Sequence, residues 1–254
     1  VGCQPETLGR ERWSARDLAA FLEVHIEQGR VLEAESRPIG LVDGIAGNTR
    51  VRLIVSGRAD HSGATPMHLR RDALAAAAEI ILGVEALARD PRRRSTVATV
   101  GRIEIEPNNL TTVPGRAVLS VDVRDIDSDR QRVTAREVAQ LAYRVGERRA
   151  AQVLVELITD SSPAVLPIWL RQHVAEVCTE LGIDFRVMNS GAGHDAAVVA
   201  RVVPAAMVFI PSRDGASHSP QESSSLADIG RGVEVLYHAV LRLDRVLAEL
   251  EGLG

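Results

Sequence analysis

Seven histidines carry most of the chemical potential of this sequence near neutral pH, and four of them stand where binding groups usually stand. His25 lies in "FLEVHIEQG", between Glu23 and Glu27. His61 lies in "GRADHSGATP", where a strand gives way to a Gly/Pro turn. His194 lies in the glycine-rich run "NSGAGHDAA", just before a helix start. His218 lies in "PSRDGASHSP", a loop after an apolar strand. Loops and strand ends suit binding and catalysis better than packing. Neutral imidazole is a good ligand for zinc-like ions and a ready proton carrier. Glu23 or Glu27 could accept the second ring N–H of His25 and so fix its tautomer. His68, His173 and His238 sit in or beside helical stretches with polar neighbours and read as ordinary structural residues. The sequence has no HExxH, no paired CxxC and no GxSxG, so the simplest metal and nucleophile motifs are absent.

The elements that must position these residues follow from hydrophobic periodicity. Leu22, Val24 and Ile26 alternate with Glu23, His25 and Glu27, which reads as a half-buried strand (22–28) with the polar set on one face. A short helix is expected before it, from residue 15, and another around "RVLEAES", closed by Pro38. Residues 47–158 then run β-α-β-β-α-β, the order of a ferredoxin-like module. The strands are 50–59, 96–106, 117–125 and 152–158. A helix over 72–90 is expected to turn Leu74, Ala77, Ala78, Ile81 and Ala88 inward. A second, capped by Ser128 or Asp127, does the same with Val138, Leu141, Ala142 and Val145. After "TDSSP" come a helix over 167–182 with Leu170, Val174, Val177, Cys178 and Leu181 inward and Gly182 as its stop, two short strands ("FRVMN" and "AAMVFI") around a short helix "HDAAVVARV", and a long closing helix with Ile229, Val233, Leu236, Val240, Leu247 and Leu250 inward. The expected fold is therefore α/β: a mixed-sheet domain built from 1–46 and 159–254, with the module 47–158 inserted into it.

Composition narrows the function classes. The 254 residues are 45% hydrophobic, enough for a substantial core, and only 3% aromatic. The net charge of -4 argues against a nucleic-acid partner. All 30 basic residues are arginine, which rules out Schiff-base chemistry on lysine. No apolar run reaches membrane-spanning length. Cys3 and Cys178 lie in no paired motif and read as reduced thiols, which suits a cytoplasmic protein.

Four segments carry a family resemblance: "HIEQGRVLEAESRPIGLVDGIAG", "ADHSGATPMHLRRDALAAAAEIILGVE", "VMNSGAGHDA" and "FIPSRDGASHSP". Together they resemble the hydantoinase/carbamoylase-type amidases of the zinc aminoacylase/carboxypeptidase superfamily. The resemblance implies an amidohydrolase that cleaves the ureido C–N bond of an N-carbamoyl-L-amino acid, or of allantoate or a related ureido acid. It implies two divalent ions (Zn, Mn, Co or Ni) with His25 as a ligand to one and His218 to the other. His61 would polarise the scissile carbonyl, reaching into the partner subunit's site. Gln28, His194, Arg124 and Thr111 match substrate-binding positions, with Arg124 taking a carboxylate. The inserted module would be the lid and the homodimer interface.

The sequence also departs from the family pattern. The family draws its remaining metal ligands and its general base from a stretch before the "HIEQG" strand, and this sequence does not supply them. Two histidines cannot satisfy two ions that each want about four ligands. As it stands, the chain is expected to hold metal weakly or not at all and to be inactive alone. It would be a fragment, one of two chains, or a truncated non-catalytic dimerisation or binding protein. Thr111 stands where the family usually has Asn, and Ala216 where it has a larger aliphatic residue. Both changes put the precise substrate in question.

Overall fold

The computed structural model describes Ser14 and residues 16–251. In chain order the elements are β1 (Phe21–Ile26), α1 (Val31–Ala34), β2 (Ile39–Ile45), β3 (Gly47–Ser56), β4 (Asp60–His61), α2 (Ala73–Ala88), β5 (Val97–Glu106), β6 (Thr112–Val113), β7 (Arg116–Asp125), α3 (Ser128–Arg148), β8 (Gln152–Ser161), β9 (Ala164–Val165), α4 (Ile168–Glu180), β10 (Phe185–Ser190), α5 (Asp195–Val199), β11 (Ala205–Ile210) and α6 (Leu226–Glu251). The chain divides into two compact units, residues 1–45 with 164–254 and residues 46–163. No described helix is long and apolar enough to cross a membrane.

The first unit is a mixed α/β sheet in the order β1-β11-β2-β10, with β9 beside β2. β1 and β11 run parallel, and His25 is opposite Phe209. β2 runs antiparallel to β11. Alternation sorts β1 as its sequence demands. Leu22, Val24 and Ile26 join the core made by α4, α6 and the sheet, around Leu170, Val174 and Val235. Phe21 joins the opposite core with Leu32, Ala196 and Phe209. Glu23 and His25 share that second face.

Several expectations for this unit need correction. Among the described residues no helix precedes β1: Ser14 and Asp17 close a turn, with the Ser14 amide and hydroxyl both donating to the Asp17 carboxylate. The helix at "RVLEAES" is a single turn, and the strand β2 that follows it has no counterpart in the sequence reading. β2 is buried on both faces apart from Asp43, so it carries no alternation to read. α6 turns a different stripe inward. Val235 and Ala239 are fully buried, whereas Ile229, Val233 and Val240 are exposed; Leu236 and Leu247 are half-buried. A Cβ on Gly232 would come within 2.6 Å of Ile210 and 2.9 Å of Val24. The sheet therefore takes the small-residue stripe that allows close approach, not the bulkiest one. The Leu250 side chain and Cys3 lie outside the described residues. Cys178 is fully buried and free. Burial pushes its thiol up to about 11, so it stays protonated near neutrality.

The second unit has the ferredoxin-like sheet order β5-β7-β3-β8, all neighbours antiparallel. Helices α2 and α3 bury the odd-numbered residues of β7, including Ala117, Leu119, Val121 and Val123. Asp72 caps α2 and Asp127 caps α3, each by accepting two backbone N–H bonds. In α2 the buried set is Ala73, Ala76, Ala77, Ile80 and Val84. Leu74, expected inward, is 40% exposed, and Ala78 is exposed too. A run as uniformly apolar as "ALAAAAEI" leaves the inward face undetermined by pattern. In α3 the expectation matches the structure: Val138, Ala142 and Val145 are fully buried.

Asp125 anchors the end of β7. It is fully buried and accepts from the Thr96 hydroxyl at 2.5 Å, the Asp127 N–H at 2.9 Å, and the Arg130 guanidinium at 2.5 and 2.7 Å. Burial alone would raise its pKa; the Arg130 and Thr96 hydrogen bonds outweigh it, and the net shift is downward. A depressed carboxylate contributes stability above its unfolded pKa and loses it as pH falls through the folded one. Asp125→Asn is therefore expected to cost about 2–3 kcal/mol at pH 7. The deficit should shrink below about pH 4. Urea unfolding at pH 7 and pH 3.5 measures both.

Candidate active site

The carboxyl ends of the parallel strands β1 and β11 lie at one sheet edge, a usual place for a site in an α/β sheet. The segment after β1 and the loop after β11 are tied together there. Gln28 donates its backbone N–H to the fully buried Ser212 hydroxyl at 3.0 Å, and its side-chain amide to the Ser217 hydroxyl at 2.8 Å. Ser217 Oγ is 3.0 Å from His218 Nδ1. The His218 N–H donates to Glu222 at 2.9 Å. Arg30 donates to the Asp214 carbonyl, and the Asp214 N–H donates back to Glu33.

Three residues of this juncture, Gln28, Asp214 and His218, have left-handed backbones (φ 59, 55 and 55°). Each costs on the order of 1 kcal/mol outside glycine, and such strain clusters where side-chain direction matters. The Glu222 carboxyl is held below its usual range, first by the His218 N–H, then by the Ser217 hydroxyl, with the charges of His218 and His25 adding to the effect.

A second cluster lies on the inner face of β1. The His25 and His194 rings meet edge to face with centroids 4.5 Å apart, and Phe209 flanks His194 at 5.6 Å. His25 Nδ1 is 2.8 Å from the Ile26 carbonyl. A carbonyl only accepts, so Nδ1 carries a proton, and in the neutral ring the lone pair is on Nε2. His194 precedes α5, its side chain shielded from solvent. Its Nε2 is 2.7 Å from Ser190 Oγ, while Nδ1 is buried without a hydrogen-bond partner, 3.8 Å from Glu23 Oε1. Burial, and then the charge of His25, push its pKa down to about 4, against a smaller upward pull from Asp195. At neutral pH it is an uncharged imidazole.

Glu23 is the carboxylate that serves this cluster, and its Oε2 accepts the Ala196 N–H at 2.8 Å. Glu27, the other candidate support for His25, is committed elsewhere. Both its oxygens accept backbone N–H groups of Val31 and Leu32 at 2.8 Å, satisfying the start of α1. The order Ser190–His194–Glu23 has the connectivity of a nucleophilic triad, but Ser190 is buried and its oxygen accepts the Ala192 N–H at 3.1 Å. It holds His194 in place.

In the second unit, His61 and Thr111 come together on the β4–β6 ribbon. His61 pairs with Thr112, and the Ser62 N–H donates to the Thr111 carbonyl at 2.9 Å. His61 Nδ1 accepts from the Gly63 and Ala64 N–H groups at 3.0 and 3.1 Å. That fixes the proton on Nε2, leaving an exposed ring with an N–H donor. The Asn109 carboxamide oxygen accepts from both the N–H and hydroxyl of Thr111. Arg124 lies on the face of β7 opposite the helices. Its Nε and Nη2 donate to Asp122 Oδ2 at 2.9 and 2.7 Å. Among the remaining histidines, His173 is buried with Nε2 donating to the Ala239 carbonyl at 3.1 Å, a satisfied core residue. Ser190, Ser212, Ser217 and Glu222 were not legible as site residues. Only the position of Ser217 beside His218, and of Glu222 four residues after it, offered a signal.

Imidazole and carboxylate donors with available lone pairs suit borderline divalent ions. Glu23 Oε1 meets that requirement, as do His25 Nε2 in the neutral ring and His194 Nδ1 in the tautomer that carries its proton on Nε2. His25 and His218 alone do not fill two coordination shells.

The fold and these side chains resemble those of solved amidases of the hydantoinase/carbamoylase family. A crystal structure of a hydantoinase/carbamoylase family amidase from Burkholderia multivorans superimposes with a TM-score of 0.84 at 35% identity, over 87% of this chain and 54% of that one. The chain belongs to peptidase family M20/M25/M40, whose pattern matches residues 5–242. It is 38% identical over 243 residues to N-carbamoyl-L-amino acid amidohydrolase of Geobacillus stearothermophilus, covering 96% of this chain and 59% of that protein. It is 36% identical over 224 residues to allantoate amidohydrolase of Escherichia coli K12, covering 87% and 54%. The chain thus spans between half and three fifths of the length of these relatives.

Proposed function

We propose that this chain is part of a metal-dependent amidohydrolase that cleaves the ureido C–N bond of an N-carbamoyl-L-amino acid, with allantoate or a related ureido acid as the alternative substrate. The observation that carries the reading is its 38% identity, over nearly the whole chain, to an N-carbamoyl-L-amino acid amidohydrolase. The overall reaction consumes one water and yields the amino acid, carbon dioxide and ammonia.

His25 and His218 would each ligate one of two divalent ions, with further ligands beyond these two. The ions, when bound, would supply an activated water near neutrality. The residues of the chain do the rest. Gln28, fixed through Ser212 and Ser217, orients the ureido group. Arg124 grips the substrate carboxylate through parallel hydrogen bonds, and Thr111 contributes a hydroxyl on the His61 ribbon. His61 Nε2–H donates to the scissile carbonyl oxygen as negative charge develops there. His194, on the inner face of β1 beside His25, would take part in binding the substrate. The second unit would also supply a homodimer interface.

Ammonia release from N-carbamoyl-L-methionine and from allantoate, by protein preincubated with Zn, Mn, Co or Ni, tests the reading. Turnover of the first above the second supports it. Turnover of allantoate alone shifts the assignment to the alternative. No turnover of either by the full-length gene product overturns it in favour of a dimerisation or binding role.

A further inference from the structure

On the face of the second sheet opposite its helices, most arginines have a carboxylate to themselves. Arg52 pairs with Glu156, Arg102 with Glu104, and Arg116 with Glu106. Asp122 is shared. Arg124 takes its Oδ2 through Nε and Nη2, while Arg50 Nε lies 3.5 Å from its Oδ1. Arg50 is opposite Asp122 in the β3–β7 register, and Arg124 follows two residues further along the same face of β7. Two cations therefore stand over one anion.

Two further observations concern Arg50. Its guanidinium makes no hydrogen bond among the described residues. The 3.5 Å approach to Asp122 is too long for one, and Asp122 Oδ1 is shielded from solvent without a hydrogen-bond partner. Charge holds Arg50 in place, and its planar fork of N–H donors is left open. The strand pairing is also broken beside it. The register of β3 against β8 shifts between Arg50 and Val51, and that of β5 against β7 shifts between Val100 and Arg102. Such bulges re-aim side chains and are common next to sites. Here they flank a cavity of about 320 Å³ lined by Arg50, Arg52, Gly101, Ser120, Asp122 and Ile158.

We propose that Arg50 is a specificity-determining residue that receives a second carboxylate, so that the preferred substrate is a ureido acid with an acidic side chain. This rests on the function proposed above, in which Arg124 takes the first carboxylate. Neighbouring strands lie about 4.8 Å apart, a distance that a side chain of two or three carbons spans. A substrate held on Arg124 therefore extends over Asp122 to Arg50 on β3, with Ser120 and the apolar Ile158 lining the same cavity. The second carboxylate balances the surplus cation of the trio and accepts charge-assisted hydrogen bonds from the open fork. A neutral side chain of the same size leaves that cation unbalanced.

The test compares N-carbamoyl-L-glutamate with N-carbamoyl-L-glutamine, which differ only at the end of the side chain. Both kcat/KM of the full-length gene product and isothermal titration of the same pair are measured. The glutamate compound is expected to be favoured about tenfold, the gap between a charge-assisted hydrogen bond and a neutral one. Arg50→Gln should weaken the glutamate compound by about that factor and erase the preference. Arg52→Gln, which removes a neighbouring cation already paired with Glu156, should keep it. Circular dichroism establishes that each variant is folded, and Arg50→Met serves if Arg50→Gln is not. Equal affinity for the two compounds, or binding of neither at millimolar concentration, overturns the proposal. So does an equal loss on both compounds in Arg50→Gln, the mark of a structural role. Loss of the preference in Arg52→Gln as well overturns it too, by assigning the effect to the charge of the whole face. If neither compound is hydrolysed but the preference in binding is present and depends on Arg50, the proposed reaction fails and the assignment of Arg50 stands.

Discussion

His61→Ala is expected to lower kcat by about 10²–10³-fold with KM nearly unchanged, the loss measured when one preorganised donor to a developing oxyanion is removed. The expectation rests on the tautomer. Two backbone N–H groups, of Gly63 and Ala64, converge on Nδ1, so the ring can present only Nε2–H outward without breaking them. A ureido carbonyl is a poor electrophile, and stabilising charge on its oxygen should matter more than for an ordinary amide. The side chain is exposed and holds no core contact, so the melting temperature should stay within a degree or two. If kcat falls only a few-fold, or KM carries the whole change, His61 is not the donor. On the proposed reading this histidine would serve the site of a partner subunit. Mixing His61→Ala protein with His25→Ala protein should then restore part of the activity, because one composite site per heterodimer is intact. No rescue in verified heterodimers would assign His61 to its own subunit.

How much of this was legible in the sequence depended on whether a residue's role was set by its own strand or by a distant one. The β1 face was legible, because strict alternation of Leu22, Val24 and Ile26 leaves Glu23 and His25 only one place to go. The ferredoxin-like order was legible because each element had its own period and its own cap. The inward faces of α2 and α6 were not, because both helices carry apolar residues around most of their circumference. There the choice was made by close approach, at Gly232 and Ala239 for α6 and at Ala73, Ala76 and Ala77 for α2. The same limit governs the two glutamates. Nothing local distinguishes Glu23 from Glu27 as a partner of histidine. The distinction arises because the N–H groups starting α1 lie over one and those starting α5 over the other. Ser212 and Ser217 became visible only once the loop after β11 was folded against Gln28.

Arg124→Ala should raise KM for substrates that carry a carboxylate by about 10–100-fold, and change it little for a neutral ureido compound. A bidentate, charge-assisted pair is worth roughly 1.5–3 kcal/mol, which converts to that range. The geometry explains why the side chain is suited to the task. Asp122 accepts from both Nε and Nη2, holding the guanidinium plane against the sheet. Arg50 lies on the other Asp122 oxygen at 3.5 Å, so Asp122 balances two cations and Arg124 can still attract an anion. The exposure is about a third, which leaves a partly desolvated cation with more to gain from an anion than one in open water. Arg124→Lys keeps the charge but not the fork, and should recover only part of the affinity. Asp122→Asn separates orientation from charge. It weakens the hold on the guanidinium plane while raising the local positive potential, so KM for the carboxylate substrate should rise if orientation dominates and fall if potential does. Equal losses on carboxylate and neutral substrates in Arg124→Ala would mean that the residue supports the fold of β7 rather than reading the substrate.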